Sequence, residues 1–116
     1  MTMNYASMLE AEKKTLTGEL IRLGRHDLKT NTWEAAAETA DPSELDPNTI
    51  ADRFEDFEEK TAIIVPLEAR LTQVESALAA IANGTFGICR VCSTKIEEAR
   101  LSANPAAETC MEHLEA

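Results

Sequence analysis

Two stretches of the chain place apolar side chains at the spacing of an α-helix, and they predict most of the fold. The first covers residues 4–23 and the second covers residues 47–82. The second follows Asp46 and begins with Pro47, an acidic cap before a proline, which is a favoured helix start. Its positions alternate in steps of four and three, a heptad-like pattern broken by two successive steps of three between Thr61 and Leu67. The positions on these two helix faces are Leu9, Leu16, Leu20 and Leu23, then Ile50, Phe54, Phe57, Thr61, Ile64, Leu67, Leu71, Val74, Leu78 and Ile81.

This pattern predicts an all-α fold. Residues 1–83 are expected to form an antiparallel helical hairpin, a short coiled coil. Residues 24–45 are its connection, because Gly24 ends the first apolar face and poor helix formers follow it. Trp33 and the alanines after it are predicted to form one or two helical turns. The alternative is a first helix that continues through Gly24 to about Ala40.

The two predicted helices differ in length. The second helix is expected to be roughly 54 Å long and the first roughly 30 Å. A first helix of that length leaves Ile50, Phe54 and Phe57 without a full-length partner. They would be covered either by an intramolecular cluster that includes Trp33 or by a homodimer interface.

The densest chemical signal is a C-x2-C-x17-C-x2-H pattern near the C-terminus. It consists of Cys89, Cys92, Cys110 and His113, and it uses all three cysteines of the chain. This spacing is typical of tetrahedral zinc sites, and four protein ligands make the site structural rather than catalytic. The alternative is three buried or incidental cysteines beside a surface histidine. We predict one structural zinc per chain, in a zinc finger over residues 84–116. Asn104 and Pro105 favour the start of a short helix there, which would place Cys110 and His113 three residues apart on one face.

The charge of the chain argues against direct reading of DNA. Asp and Glu number 21 against 11 Lys and Arg, which gives a net charge of −10. Binding to duplex DNA depends largely on basic side chains that neutralise phosphates. We therefore expect no direct sequence-specific binding to nucleic acid, and a protein partner with a basic surface instead.

Other function classes are also disfavoured. No apolar run approaches the roughly 20 residues that span a bilayer, and no segment resembles a signal peptide. We expect a cytoplasmic protein with no membrane partner. The sequence also predicts no enzyme, because no nucleophile–base pair stands out and His26 is interpreted as a solvated surface residue.

The C-terminal region resembles the zinc finger of the DksA/TraR family. Residues 81–92 read IANGTFGICRVC, and the stretch from Ile96 to Cys110 fits the pattern I-x3-R-L-x-A-x-P-x-A-x2-C. The resemblance covers about the last 36 residues. It implies a finger joined to a helical hairpin, one bound zinc, and binding to bacterial RNA polymerase.

The chain departs from the family pattern in the zinc finger and at the hairpin tip. His113 replaces the usual fourth cysteine, and Ser93 stands where a glycine usually follows the second cysteine, which implies some strain there. In regulatory members the hairpin tip enters the secondary channel of the polymerase with a D-x-x-D-x-A motif. The matching tip residues here are Asp46, Thr49 and Ala51, so a threonine replaces the second acid.

Two functions follow from the sequence. The first is a zinc-binding regulator that modulates transcription by binding RNA polymerase through the hairpin. The second is a zinc-stabilised module for protein–protein interaction or dimerisation, without activity on polymerase. Asp46 is compatible with both functions, because an N-cap role alone explains an acid at this position.

Overall fold

The fold is mostly helical and includes one small sheet. The computed structural model describes residues 4–36 and 46–114. The prediction of an all-α fold is therefore wrong, although helices dominate. The elements are α1 (Tyr5–Leu23), β1 (Gly24–Asp27), β2 (Thr32–Ala35), α2 (Pro47–Asn83), α3 (Glu98–Ala103) and a 3₁₀ turn (Met111–His113).

Helix α1 ends where the sequence predicts, and Asn4 caps its start. The Asn4 side-chain oxygen accepts the N–H of Ser7 at 3.0 Å, so Asn4 satisfies a free donor of the first turn. The helix ends at Leu23, one residue before Gly24. A first helix that continues past Gly24 is excluded.

The predicted connection contains a β-hairpin instead of helical turns. Strands β1 and β2 pair antiparallel, with Gly24 opposite Ala35 and His26 opposite Trp33. The His26 and Trp33 rings stack with centroids 4.6 Å apart. β-Branched and aromatic side chains favour this pairing, but strands of four residues leave too little alternation for recognition in the sequence. Residues 37–45 of the predicted connection lie outside the described residues.

Gly24 is required where the helix passes into the hairpin. A Cβ atom at this position would lie 2.1 Å from the backbone oxygen of Glu34 and 3.0 Å from Cδ1 of Ile64. Only the absence of a side chain permits this approach of β2. A Cβ atom at Gly18 would meet no neighbouring atom within 4 Å, so Gly18 serves no such close contact.

Helix α2 is continuous over 37 residues and contains Pro66. Proline removes one backbone hydrogen bond inside a helix, but the helix continues on both sides. The structure shows two helices close to their predicted bounds, whereas their packing as an antiparallel hairpin remains a prediction. None of the helices in the described ranges is long and apolar enough to cross a membrane.

The chain divides into two compact units. One consists of Met1–Thr15 with Arg70–Ala116, and the other is Leu16–Ala69. In the first, a buried cluster contains Cys89 and Cys110, and Tyr5 and Phe86 pack against it with ring centroids 5.5 Å apart. Among the described residues of the second, the buried apolar side chains are Leu16, Leu20, Ala35 and Ile64.

Candidate metal centre

Three cysteines and one histidine converge in the C-terminal region. The ligand atoms of Cys89, Cys92, Cys110 and His113 all lie within 4.8 Å of one another. The Cys92 and Cys110 sulfur atoms are 3.7 Å apart. Nδ1 of His113 lies 3.2 Å from the Cys110 sulfur and 3.8 Å from the Cys89 sulfur. The structure thus brings together the four residues that the sequence pattern groups.

These distances fit a tetrahedral zinc ion. Zinc–sulfur bonds of about 2.3 Å and zinc–nitrogen bonds of about 2.0–2.1 Å place tetrahedral sulfur pairs about 3.8 Å apart and sulfur–nitrogen pairs about 3.6 Å apart. The separations observed here scatter around those values. No disulfide links the cysteines, and all three thiols are available as ligands. The cluster is therefore compatible with a zinc site.

The first two ligands lie on a tight backbone loop. The N–H of Cys89 donates to the carbonyl of Thr94 at 2.8 Å, and the N–H of Ser93 donates to the carbonyl of Cys89 at 2.9 Å. Ser93 has φ of 61°, a left-handed conformation that favours glycine. The strain expected from a serine at this position is therefore present.

Backbone N–H groups prepare the Cys89 sulfur for a cation. Burial acts to raise the pKa of the Cys89 thiol, but hydrogen bonds from the N–H groups of Cys92, Cys110 and Val91 outweigh burial and lower the pKa to about 6. The Val91 N–H lies 3.4 Å from this sulfur. The thiolate is the form that binds metal, so this loop favours the ligand state of Cys89.

The Cys110 thiol shows the opposite shift. Burial raises its pKa, and the nearby Cys92 and Cys89 side chains raise it further. Thiolates this close together repel one another when no cation lies between them. A bound cation would remove that repulsion and favour deprotonation of all the ligands.

The second ligand pair lies on a 3₁₀ turn, and the α-helix predicted from Asn104 and Pro105 is wrong. Asn104 instead ends α3, where its N–H bonds the carbonyl of Arg100 at 2.8 Å. Cys110 precedes the turn, and the N–H of His113 donates to its carbonyl at 3.0 Å. A 3₁₀ turn repeats every three residues, so it still places these two ligands on one side.

Arg100 and Leu101 support the ligands from within the finger. The Arg100 guanidinium donates to the carbonyl of Thr109 at 2.5 Å and to its hydroxyl at 3.2 Å. Thr109 immediately precedes Cys110, so Arg100 fixes the backbone that carries this ligand. Leu101 is buried in the cluster that contains Cys89 and Cys110.

A hydrogen-bond network around Arg70 has no signal in the sequence. The Arg70 guanidinium binds both carboxylate oxygens of Glu12, at 2.5 and 2.9 Å, and the side-chain oxygen of Asn104 at 2.9 Å. The pKa of Glu12 is lowered by this pairing. The partners lie 58 and 34 positions away from Arg70, so no local pattern indicates them.

The tip residues form a helix cap. The Asp46 carboxylate accepts the Thr49 N–H at 2.8 Å and the Thr49 hydroxyl at 3.2 Å. These bonds lower the pKa of Asp46. The expected N-cap role of Asp46 is confirmed, and Thr49 takes part in it. Ala51 is exposed one turn further along.

Comparison with known proteins shows the fold alone. No protein-family model matches the chain, and no curated protein matches it in sequence. Among solved structures, the chain is similar to the transcription factor DksA2 from Pseudomonas aeruginosa, with a TM-score of 0.55 and 23% identity. The similarity covers 92% of this chain and 69% of that one. The chain therefore has a DksA-like fold.

Proposed function

We propose that this protein is a zinc-binding cytoplasmic regulator of transcription that binds bacterial RNA polymerase through protein contacts rather than DNA. The observation that carries the proposal is a cluster of four suitable zinc ligands in a chain with a DksA-like fold. The resemblance of the finger motif to the DksA/TraR family supports the same partner. A net charge of −10 favours a protein target over nucleic acid.

The proposed metal is a single structural zinc. Cys89, Cys92, Cys110 and His113 would hold it, and the metal would supply the four bonds that join the two loops of the finger. The Cys89 loop supplies N–H groups that stabilise thiolate charge. The Arg100 contacts hold the backbone before Cys110. Four protein ligands leave no position for a substrate, so no enzymatic role is proposed.

The proposed contact with polymerase involves the N-terminal part of α2. Residues 46–60 contain six acidic and two basic side chains, so this segment is strongly negative. Asp46 is exposed and its carboxylate is held in one orientation by Thr49. An ordered acid at the start of a helix suits a basic protein surface.

Binding of the full chain to core RNA polymerase tests the proposal. Asp46→Asn is the informative variant, because asparagine caps a helix about as well as aspartate but carries no charge. We expect the labelled wild-type chain to bind at micromolar concentration and low salt, and Asp46→Asn to bind several-fold more weakly. Glu112→Gln removes the same charge from an exposed position in the finger and serves as the control. Absence of wild-type binding would refute the polymerase proposal.

The second candidate is an interaction or dimerisation module with no action on polymerase. Large apolar side chains exposed on α2 favour it, since Phe54 is 62% exposed and Phe57 is 39% exposed. Thr49 also favours it, because it stands where the tip motif has a second acid. Its hydroxyl instead donates a hydrogen bond to the Asp46 carboxylate.

A further inference from the structure

One face of α2 changes from buried to exposed along its length. Ile64 is only 2% exposed, whereas Ile50 is 41%, Phe54 62% and Phe57 39% exposed. We call Ile50, Phe54 and Phe57 the exposed strip. Its spacing of four and three residues continues the pattern that leads to buried Ile64. An apolar face with this period is typical of contact with another helix.

The charges beside the exposed strip differ in sign between its two edges. With successive residues about 100° apart around the axis, Arg53 and Lys60 lie along one edge. Glu58 lies on the opposite edge. In heptad terms Ile50 and Phe57 occupy d positions, Phe54 occupies a, the basic edge is g and the acidic edge is e. The remaining acids of this segment lie on the outer positions b, c and f, and they are Asp52, Glu55, Asp56 and Glu59.

We propose that a second copy of this chain covers the exposed strip, with the two α2 helices side by side and parallel. In a parallel pair, a g residue faces the e residue five positions further along the other helix. Five positions beyond Arg53 is Glu58. Each Arg53 therefore lies opposite Glu58 of the other copy, and the symmetry of the pair forms this contact twice.

The same charges disfavour the antiparallel arrangement. In an antiparallel pair the g edges face each other and so do the e edges. Arg53 and Lys60 would then meet the same residues of the other copy, and Glu58 would meet Glu58. Like charges in these positions destabilise a helix pair. Lys60 is also paired with Asp56 of its own helix at 3.0 Å, so the preference for the parallel pair rests on Arg53 and Glu58.

The exposed strip is short, so the dimer is expected to be weak. It spans about two helical turns, far less than a long coiled coil. Self-association does not depend on polymerase binding, and its failure would leave that proposal intact. Dimerisation would cover apolar side chains a few residues beyond Asp46.

Sedimentation equilibrium of the full chain, from roughly 10 µM to 1 mM, tests the dimer directly. We expect reversible monomer–dimer exchange that Phe54→Ala abolishes. Arg53→Glu and Glu58→Arg should each weaken the dimer about fivefold, because each replaces two attractive pairs with repulsive ones. The double variant Arg53→Glu/Glu58→Arg should recover most of the wild-type affinity.

The neighbouring Glu59→Arg variant is the matched control for Glu58→Arg, because it makes the same charge change on the outer face of the helix. It should alter the dimer less than about twofold. A wild-type chain that is monomeric throughout the range would overturn the proposal. So would single variants no weaker than Glu59→Arg, or a double variant that recovers nothing, because either result contradicts the parallel register.

Discussion

The finger and the N-terminal half of α2 differ in which side chains they bury. The finger buries small or medium-sized side chains, and two of them are potential metal ligands: Cys89, Ile96, Leu101 and Cys110. The N-terminal half of α2 carries two phenylalanines and leaves both exposed. The comparison teaches that side-chain hydrophobicity does not decide burial here. Whether a side chain is buried depends on which other parts of the chain the fold packs against it.

Loss of a metal ligand is the largest expected effect and tests the finger side of the comparison. Cys110→Ser should abolish zinc binding and unfold residues 84–114, because the binding free energy of a structural zinc, of order 10 kcal/mol, substitutes for a large core. Metal analysis and amide hydrogen exchange over this range would measure both. Glu112→Gln, exposed between two ligands, should retain one zinc per chain. A Cys110→Ser protein with full zinc content would contradict the assignment.

Shortening apolar side chains along one face of α2 tests the helix side of the comparison. Ile64→Ala should lower the free energy of unfolding by about 2–5 kcal/mol, because it leaves a cavity in a buried site. Phe54→Ala removes a larger side chain but should cost less than about 0.5 kcal/mol, since exposed substitutions rarely matter. Denaturant titration at low micromolar concentration compares the two. A cost for Phe54→Ala as large as that for Ile64→Ala would show that the folded chain covers Phe54.

Two glycines compare a position in close contact with a position that has no neighbour. Gly24→Ala should lower the free energy of unfolding by about 1–3 kcal/mol, because its methyl group meets the backbone of Glu34. Gly18→Ala should raise it by about 0.5–1 kcal/mol, since alanine favours an exposed helix interior and no atom lies nearby. Thermal or denaturant unfolding of both variants is sufficient. Equal effects of the same sign would refute the close approach at Gly24.

The smallest expected effect concerns the cap of α2. The pKa of Asp46 is lowered by its bonds to Thr49. Its stabilising contribution is therefore complete above the ordinary carboxyl pKa of about 4 and disappears as the pH falls through the lowered pKa. Asp46→Ala should lower the Tm by a few degrees at pH 7, and Asp46→Asn by less. The wild-type advantage over Asp46→Asn should vanish in acid, and an advantage that persists there would contradict the cap.

Local signals in the sequence indicate the helices and the ligand set well. Asp46 and Pro47 mark the start of α2 because capping and proline geometry depend on adjacent residues. The β-hairpin is missed because each strand has only four residues. The 3₁₀ turn is missed because Asn104 and Pro105 also suit the end of α3 and the loop after it. In each case a short element has too few residues to show its period.

The sequence by itself determined the four candidate metal ligands, the bounds of the long helices and the acidic charge that disfavours DNA. These properties depend on residue identity and short spacing. Only the tertiary structure decided that Ile64 is buried while Phe54 on the same face is exposed, and that Arg70 joins Glu12 to Asn104. Those outcomes depend on groups distant in the chain, and helical periodicity is the same whether or not a partner covers the face.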